Sequence, residues 1–265
     1  MPLRSRNFLL AAIALLLLTC NKSEVEDPGI DDFGYDYFPL EVGRSWEYEV
    51  DSIIYNPVVG GIARDSFRTY IRETIADTLL DNTGQVLYRV ERYYRRSDSL
   101  PWKPEKVFTL SRDEQRATRT EDNLRFTKLV FPVRMGKFWD GNAFFDDSRI
   151  VFVAGESIEM FSGWDYRILE AGAPEAVGAL EFEDVVTVRN ADNRYLNDLS
   201  ALLNLRVATE KYARGIGLVY RELDILDTVC EFCCNFETGD TCRLLPWEEK
   251  AEKGFSLRQR LISYQ

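Results

Sequence analysis

Trp46-Glu47-Tyr48-Glu49-Val50 alternates a large apolar side chain with a carboxylate at every step. A period of two places Trp46, Tyr48 and Val50 on one face of an extended chain and Glu47 and Glu49 on the other. That is the pattern of a strand with one face in a core and one in water. The same alternation runs through segments within 67–75, 86–94 and 124–130, with turn signals at Asp81-Asn82-Thr83-Gly84, Glu121-Asp122-Asn123 and Asp140-Gly141-Asn142. Further strands are expected at 150–153, 166–169, 185–188, 208–213, 218–223 and 255–263. Residues 197–205 read as one short helix, because Leu199, Leu202 and Leu203 share a helical face. About eleven to thirteen strands with at most one or two short helices predict an all-β fold: one antiparallel, strongly curved sheet, closing towards a half-barrel or a sandwich. No linker rich in Pro, Gly or Ser divides it, so residues 37–265 are expected to form a single domain.

Upstream of the strands the chain changes character. Arg4 and Arg6 precede an apolar run from Phe8 to Leu18, too short to span a bilayer but matched to the core of a secretory signal. Leu17-Leu18-Thr19-Cys20 resembles the lipobox of bacterial lipoprotein signal peptides, with Thr19 standing where glycine, alanine or serine is commoner. The resemblance implies cleavage before Cys20, so that residues 1–19 are a signal peptide and Cys20 carries the acyl chains. At about 0.8 kcal/mol per buried methylene, two or three such chains hold a soluble domain on a membrane. Losing Arg4 and Arg6 changes the net charge from −11 to −13. The following stretch, Asn21 to Asp32, carries five acids, one lysine and a Pro-Gly break, and residues 20–36 are therefore expected to be a solvated tether. It resembles the acidic segment that directs some Gram-negative lipoproteins to the outer face of the outer membrane, with an ordinary acidic linker as the alternative; Asn21 is not the inner-membrane retention aspartate, and the expected location is the outer membrane, on its periplasmic or cell-surface face.

The chain also echoes itself. Phe38-Pro39-Leu40-Glu41-Val42-Gly43-Arg44-Ser45-Trp46 recurs as Phe131-Pro132-Val133-Arg134-Met135-Gly136-Lys137-Phe138-Trp139. Proline withholds a ladder donor and glycine permits a turn, a combination suited to a bend that swings a tryptophan into a strand. Trp46 and Trp139 are then either aromatic platforms for a ligand or anchors of the core. These two segments, with Tyr212-Ala213-Arg214-Gly215-Ile216-Gly217-Leu218-Val219-Tyr220, resemble β-rich Gram-negative lipoproteins of uncharacterised activity. The resemblance implies a curved, half-barrel-type sheet, similar in outline to lipoprotein-carrier domains, and carries no catalytic residue across.

Cys230, Cys233, Cys234 and Cys242 cluster in an excursion over 228–247. In an exported chain an even number of cysteines predicts two disulfides. Bridging adjacent Cys233 and Cys234 is geometrically disfavoured, which leaves 230–233 with 234–242 or 230–234 with 233–242. A four-cysteine zinc site and a redox Cys-x-x-Cys are the alternatives.

Composition narrows function by exclusion. With no histidine, Ser-His-Asp and Cys-His nucleophiles and histidine metal sites are absent. An acidic balance of 44 carboxylates against 33 basic groups argues against nucleic acid. No phosphate loop, dinucleotide fingerprint or nucleophile elbow occurs, and neither Gly215-x-Gly217 nor the pairs Asp31-Asp32, Asp146-Asp147 and Glu248-Glu249 form a specific motif. No metal or cofactor is implied. The reading is a membrane-anchored, non-enzymatic module for a protein, glycan or apolar ligand, with a carboxylate-dependent hydrolase as the alternative.

Overall fold

The computed structural model describes residues 32–195, 203–229 and 245–265. Among these residues there are fourteen strands: β1 (Ser45–Val58), β2 (Gly61–Leu80), β3 (Val86–Arg95), β4 (Lys103–Arg112), β5 (Arg116–Glu121), β6 (Leu124–Val130), β7 (Phe138–Trp139), β8 (Ile150–Val153), β9 (Glu156–Glu159), β10 (Tyr166–Val177), β11 (Leu180–Tyr195), β12 (Leu203–Ala213), β13 (Gly217–Thr228) and β14 (Lys253–Tyr264). A single 3-10 turn at Tyr35–Tyr37 and a short helix α1 (Trp247–Lys250) complete the described elements. Twelve strands form one sheet in the order β6-β5-β4-β3-β2-β1-β14-β13-β12-β11-β10-β7, and β8 pairs with β9 as a separate hairpin. The fold is all-β, as the alternation predicts, and the large antiparallel sheet curves until it is nearly a barrel.

Period two sets the two faces. Trp46, Tyr48 and Val50 of β1 are buried inside the curve. Glu47 and Asp51 point outward, where Arg72 meets Glu47, and Arg68 and Arg260 both reach Asp51 at 2.7 Å. Such partly exposed pairs contribute little individually. They do keep the outer face soluble while the inner face carries the main core.

Curvature brings the two outermost strands together. The Thr127 N–H at β6 donates to the Gly141 carbonyl at 2.8 Å, and Trp139 Nε1 donates to the Thr127 carbonyl at 2.9 Å. The seam occupies backbone groups that an open sheet edge would expose to other chains. A second, smaller core of Tyr55, Leu205, Leu226 and Ala251, with Trp247 of α1 against it, lies outside the main one.

The sequence echo corresponds to a structural one. The sheet consists of two six-stranded meanders, β1 to β6 and then β7 with β10 to β14, each opened by one copy of the repeated motif. The Gly43 N–H donates to the Ile75 carbonyl and the Ile75 N–H to the Arg44 carbonyl, both at 2.9 Å. In the second copy, the Gly136 N–H donates to Ile168 at 2.8 Å and the Ile168 N–H to Lys137 at 2.9 Å. Both glycines are left-handed, with φ of 96° and 83°. The β14–β1 pairing at one junction of the two halves therefore has its counterpart in the β6/β7 seam at the other.

Three local readings differ from the structure. β4 and β5 carry no clear alternation: β4 opens Lys103-Pro104-Glu105-Lys106, and β5 puts Ala117 and Arg119 at buried positions. Of the segment expected as a helix, Leu203 to Leu205 belong to β12, because pairing with β13 outweighs a local helical stripe, and 196–202 lie outside the described residues. Packed structure also begins at Phe33, inside the expected tether. The Val133 N–H donates to the Phe33 carbonyl at 2.9 Å, Tyr35 meets Phe131 edge to face, and the Tyr37 hydroxyl donates to Asp184.

Gly43 and Gly136 have open space where a Cβ would sit, whereas a Cβ on Gly254 would come within 2.0 Å of the Ile225 carbonyl oxygen. Gly43→Ala and Gly136→Ala should each cost about 1 kcal/mol, the left-handed strain alone. Gly254→Ala should cost about 3 kcal/mol, since backbone overlap adds to strain. Denaturant midpoints measure all three, and clearly unequal losses at Gly43 and Gly136 would contradict the equivalence of the two motifs.

Candidate binding cavity

Charged residues occupy inward positions that alternation would give to hydrophobes. In β2, Glu73 lies between buried Ile71 and Ile75; in β12, Glu210 lies between buried Ala208 and Tyr212. Arg92, Arg119 and Arg221 take comparable places in β3, β5 and β13. Register pairs Glu73 with Arg92 and Glu210 with Arg221 directly across neighbouring strands. Arg92 reaches Glu73 at 2.6 Å and Glu121 at 3.0 Å, while Arg119 reaches Glu73 at 3.0 Å and Glu121 at 2.7 Å. On the other side, Glu210 accepts from Arg221 and Lys128, each at 2.8 Å, and from the Tyr212 hydroxyl at 2.7 Å. Lys128 belongs to β6 and Glu210 to β12, so their contact crosses the interior.

The two meanders place different chemistry at matching points. Ile75 faces Val90, which faces Phe108; in the second half Ile168 faces Val188, which faces Glu210. Glu210 therefore stands where the first half has Phe108. Two residues before Ile75 and Ile168, the first half carries Glu73 and the second Tyr166.

Burial alone pushes each interior carboxyl upward, but the surrounding cations prevail. Arg119 and Arg92 hold Glu73 at about 2, and Lys128 and Arg221 hold Glu210 at about 2. Glu121 is likewise kept well below its ordinary value. Burial pushes Lys128 down to about 8, with Glu210 offsetting only part of that and Arg221 adding to it. A general acid must hold a proton at working pH. These three carboxylates are held ionised, which removes the support the hydrolase alternative needs from them.

Beside this ionic layer lies a cavity of about 370 Å³. One wall is polar, with Arg119, Lys128, Asn190, Glu210 and Arg221; the other is apolar, with Phe126, Ile150, Met160, Phe161 and Trp164. The residues from Arg149 to Val151, at the start of the β8–β9 hairpin, supply part of the lining. The hairpin is tied to the barrel: Arg206 Nε donates to the Glu159 carbonyl at 2.9 Å, Lys253 Nζ to the Ser157 carbonyl at 2.9 Å, and Ile158 is buried. Edge-to-face contacts link Phe161 to Trp164 and to Phe145, which keeps the aromatic wall rigid. A smaller hollow shares Arg119, Lys128 and Arg221 but is otherwise lined by Phe38, Trp46 and Tyr48 among others; its volume of about 40 Å³ suits water only.

Trp46 sits in the main core with Nε1 donating to the Ile216 carbonyl at 2.6 Å, and half-buried Trp139 lies 5.7 Å from the Tyr166 ring. Neither lines the large cavity. Cys20 and the cluster of Cys230, Cys233, Cys234 and Cys242 lie outside the described residues. Asp146 is in a turn, accepting from the Ser148 N–H at 3.0 Å, and Glu248 and Glu249 are exposed on α1. Gly215 and Gly217 shape the β12–β13 turn. The ionic layer forms no sequence motif because its members are scattered across six strands. The readable signal was a charge in the apolar phase of a strand, as in Ile71-Arg72-Glu73-Thr74-Ile75.

Removing Glu210 strands two buried cations, so Glu210→Gln should cost about 3–5 kcal/mol. The folded-state values of Glu73 and Glu210 lie below the ordinary 4.5. Their stabilisation is therefore complete above about pH 4.5 and lost as pH falls through about 2. Lys128 works the other way: its cost is present below about pH 8 and relieved as pH rises towards 10.5. Urea midpoints should fall below pH 4.5, and Glu73→Gln should flatten that slope; an unchanged slope would contradict this assignment.

No family model matches the chain, and no curated protein matches it. Two solved structures are similar in outline. One is a protein described as exported, with a YmcC-like fold, from Bacteroides fragilis: 10% identity over 86% of this chain and 98% of that one, TM-score 0.36. The other is a protein described as a lipoprotein from Parabacteroides distasonis: 9% identity over the same shares of each chain, TM-score 0.30.

Proposed function

We propose that this protein is a lipid-anchored envelope protein, held in the outer membrane by acylated Cys20, whose barrel interior binds a small ligand. The observation that carries the binding role is the cavity of about 370 Å³ beside the ionic layer. Its size suits a small organic molecule, and it joins apolar walls to convergent polar groups, the composition expected of a ligand site. A purely hydrocarbon ligand fits it poorly, because one wall would set charges against carbon. The anchoring role rests on the lipobox-like Leu17 to Cys20 and the acidic stretch behind it. On this reading the tether lets the domain meet its ligand at a membrane surface without entering the bilayer.

Two measurements test the two parts. Cys20→Ser should abolish incorporation of labelled fatty acid into the protein, and continued labelling would refute the anchor. Met160→Trp should fill the cavity and abolish saturable binding of N-phenylnaphthylamine, an uncharged apolar probe, while shifting stability by less than about 1.5 kcal/mol. Undiminished binding in that variant would place the probe elsewhere and overturn the interior site.

A further inference from the structure

The charges around the cavity do not cancel. Glu73 and Glu121 stand against Arg92 and Arg119, and Lys106 meets Asp122 at 2.7 Å. Glu210 alone faces two cations, Lys128 and Arg221, whose side chains are only 8% and 15% exposed. Lys128 and Arg221 therefore share a single carboxylate in the polar wall. Glu121 and Asp122 also line the cavity but are engaged by Arg92, Arg119 and Lys106, so the lining, with Arg119, Lys128, Arg149 and Arg221 against three carboxylates, carries an excess of one cation.

We infer that the cavity accepts a small organic anion with an apolar body, its charged group meeting Lys128, Arg221 and Arg149. This rests on the interior-binding reading above and names its ligand class. Arg149, immediately before β8, lines the same cavity; its N–H is bonded to the Asp146 carbonyl, and its side chain has no partner among the described residues. It is placed to meet an anion that enters. Asn190 is 1% exposed and lines the cavity, and its Oδ1 has no donor. It offers an acceptor to a hydroxyl or N–H on the ligand. Phe161, Trp164, Ile150 and Met160 on the opposite wall suit the ligand's carbon body.

Lys128 is surrounded by Glu210 of β12, Arg221 of β13 and Arg119 of β5, with the Phe126 and Tyr166 rings 5.4 and 6.0 Å away. An anion favours its protonated form, so anion affinity should weaken as pH rises above about 8.

The test uses the full chain and two probes: anilinonaphthalene sulfonate, and N-phenylnaphthylamine, which lacks the sulfonate. The anionic probe should bind at least ~10-fold more tightly, a difference of about 1.4 kcal/mol. Lys128→Met and Arg149→Ala should each weaken it by ~10-fold relative to the neutral probe, Arg149→Ala should leave thermal unfolding within a few degrees, and Arg149→Lys should retain most of the affinity. The decline above pH 8 should disappear in Lys128→Met. Equal affinity for both probes, or full anion affinity in both loss variants, overturns the anion inference and leaves interior binding standing. Saturable binding of neither probe overturns both.

Discussion

Glu210 receives Arg221 from the neighbouring strand and Lys128 from across the barrel, and much of the remaining architecture depends on that three-way contact. Lys128 comes from β6, at the seam where the sheet nearly closes on β7. A curved sheet held only by hydrophobic contacts would fill its interior with side chains. Here the buried charges demand partners at hydrogen-bonding distance, so the strands must hold one radius and one register. The layer divides the interior into an aromatic and aliphatic core on one side and an open cavity on the other.

The duplicated meander explains how such an interior arises. Each half opens with the same Phe-Pro turn, seats its glycine on an isoleucine two strands' length away, and swings a tryptophan towards a main-chain carbonyl. A symmetric pair of halves would build a symmetric interior. Glu210 against Phe108, and Tyr166 against Glu73, break that symmetry and set one carboxylate of the second half between Arg221 of the same half and Lys128 of the first. The insertion of β8 and β9 between β7 and β10 has no counterpart in the first half, and it covers the side of the interior where the charges are unbalanced.

Much of the sheet was legible from local pattern. Trp46-Glu47-Tyr48-Glu49-Val50 shows its buried and exposed faces directly, and the repeated turn announced the structural duplication. β5 was not legible, because Arg119 holds a position that periodicity reserves for a hydrophobe, and β4 hides its alternation behind a polar opening. The departure in β5 coincides with the candidate site. Arg119 interrupts the apolar phase because its task is to pair with Glu73 and Glu121. Trp46 and Trp139, conspicuous in sequence, stand apart from the large cavity.

The amino-acid sequence by itself determined the all-β class, the two faces of the clearer strands and the paired strand-opening turns, since each follows from side chains a few residues apart and from the steric preferences of glycine and proline. Only the tertiary structure decided that Lys128 meets Glu210, that β6 closes against β7 and that a cavity lies between the ionic layer and the inserted hairpin. Those contacts join residues far apart in the chain, and their partners are chosen by sheet order, register and curvature rather than by any local period.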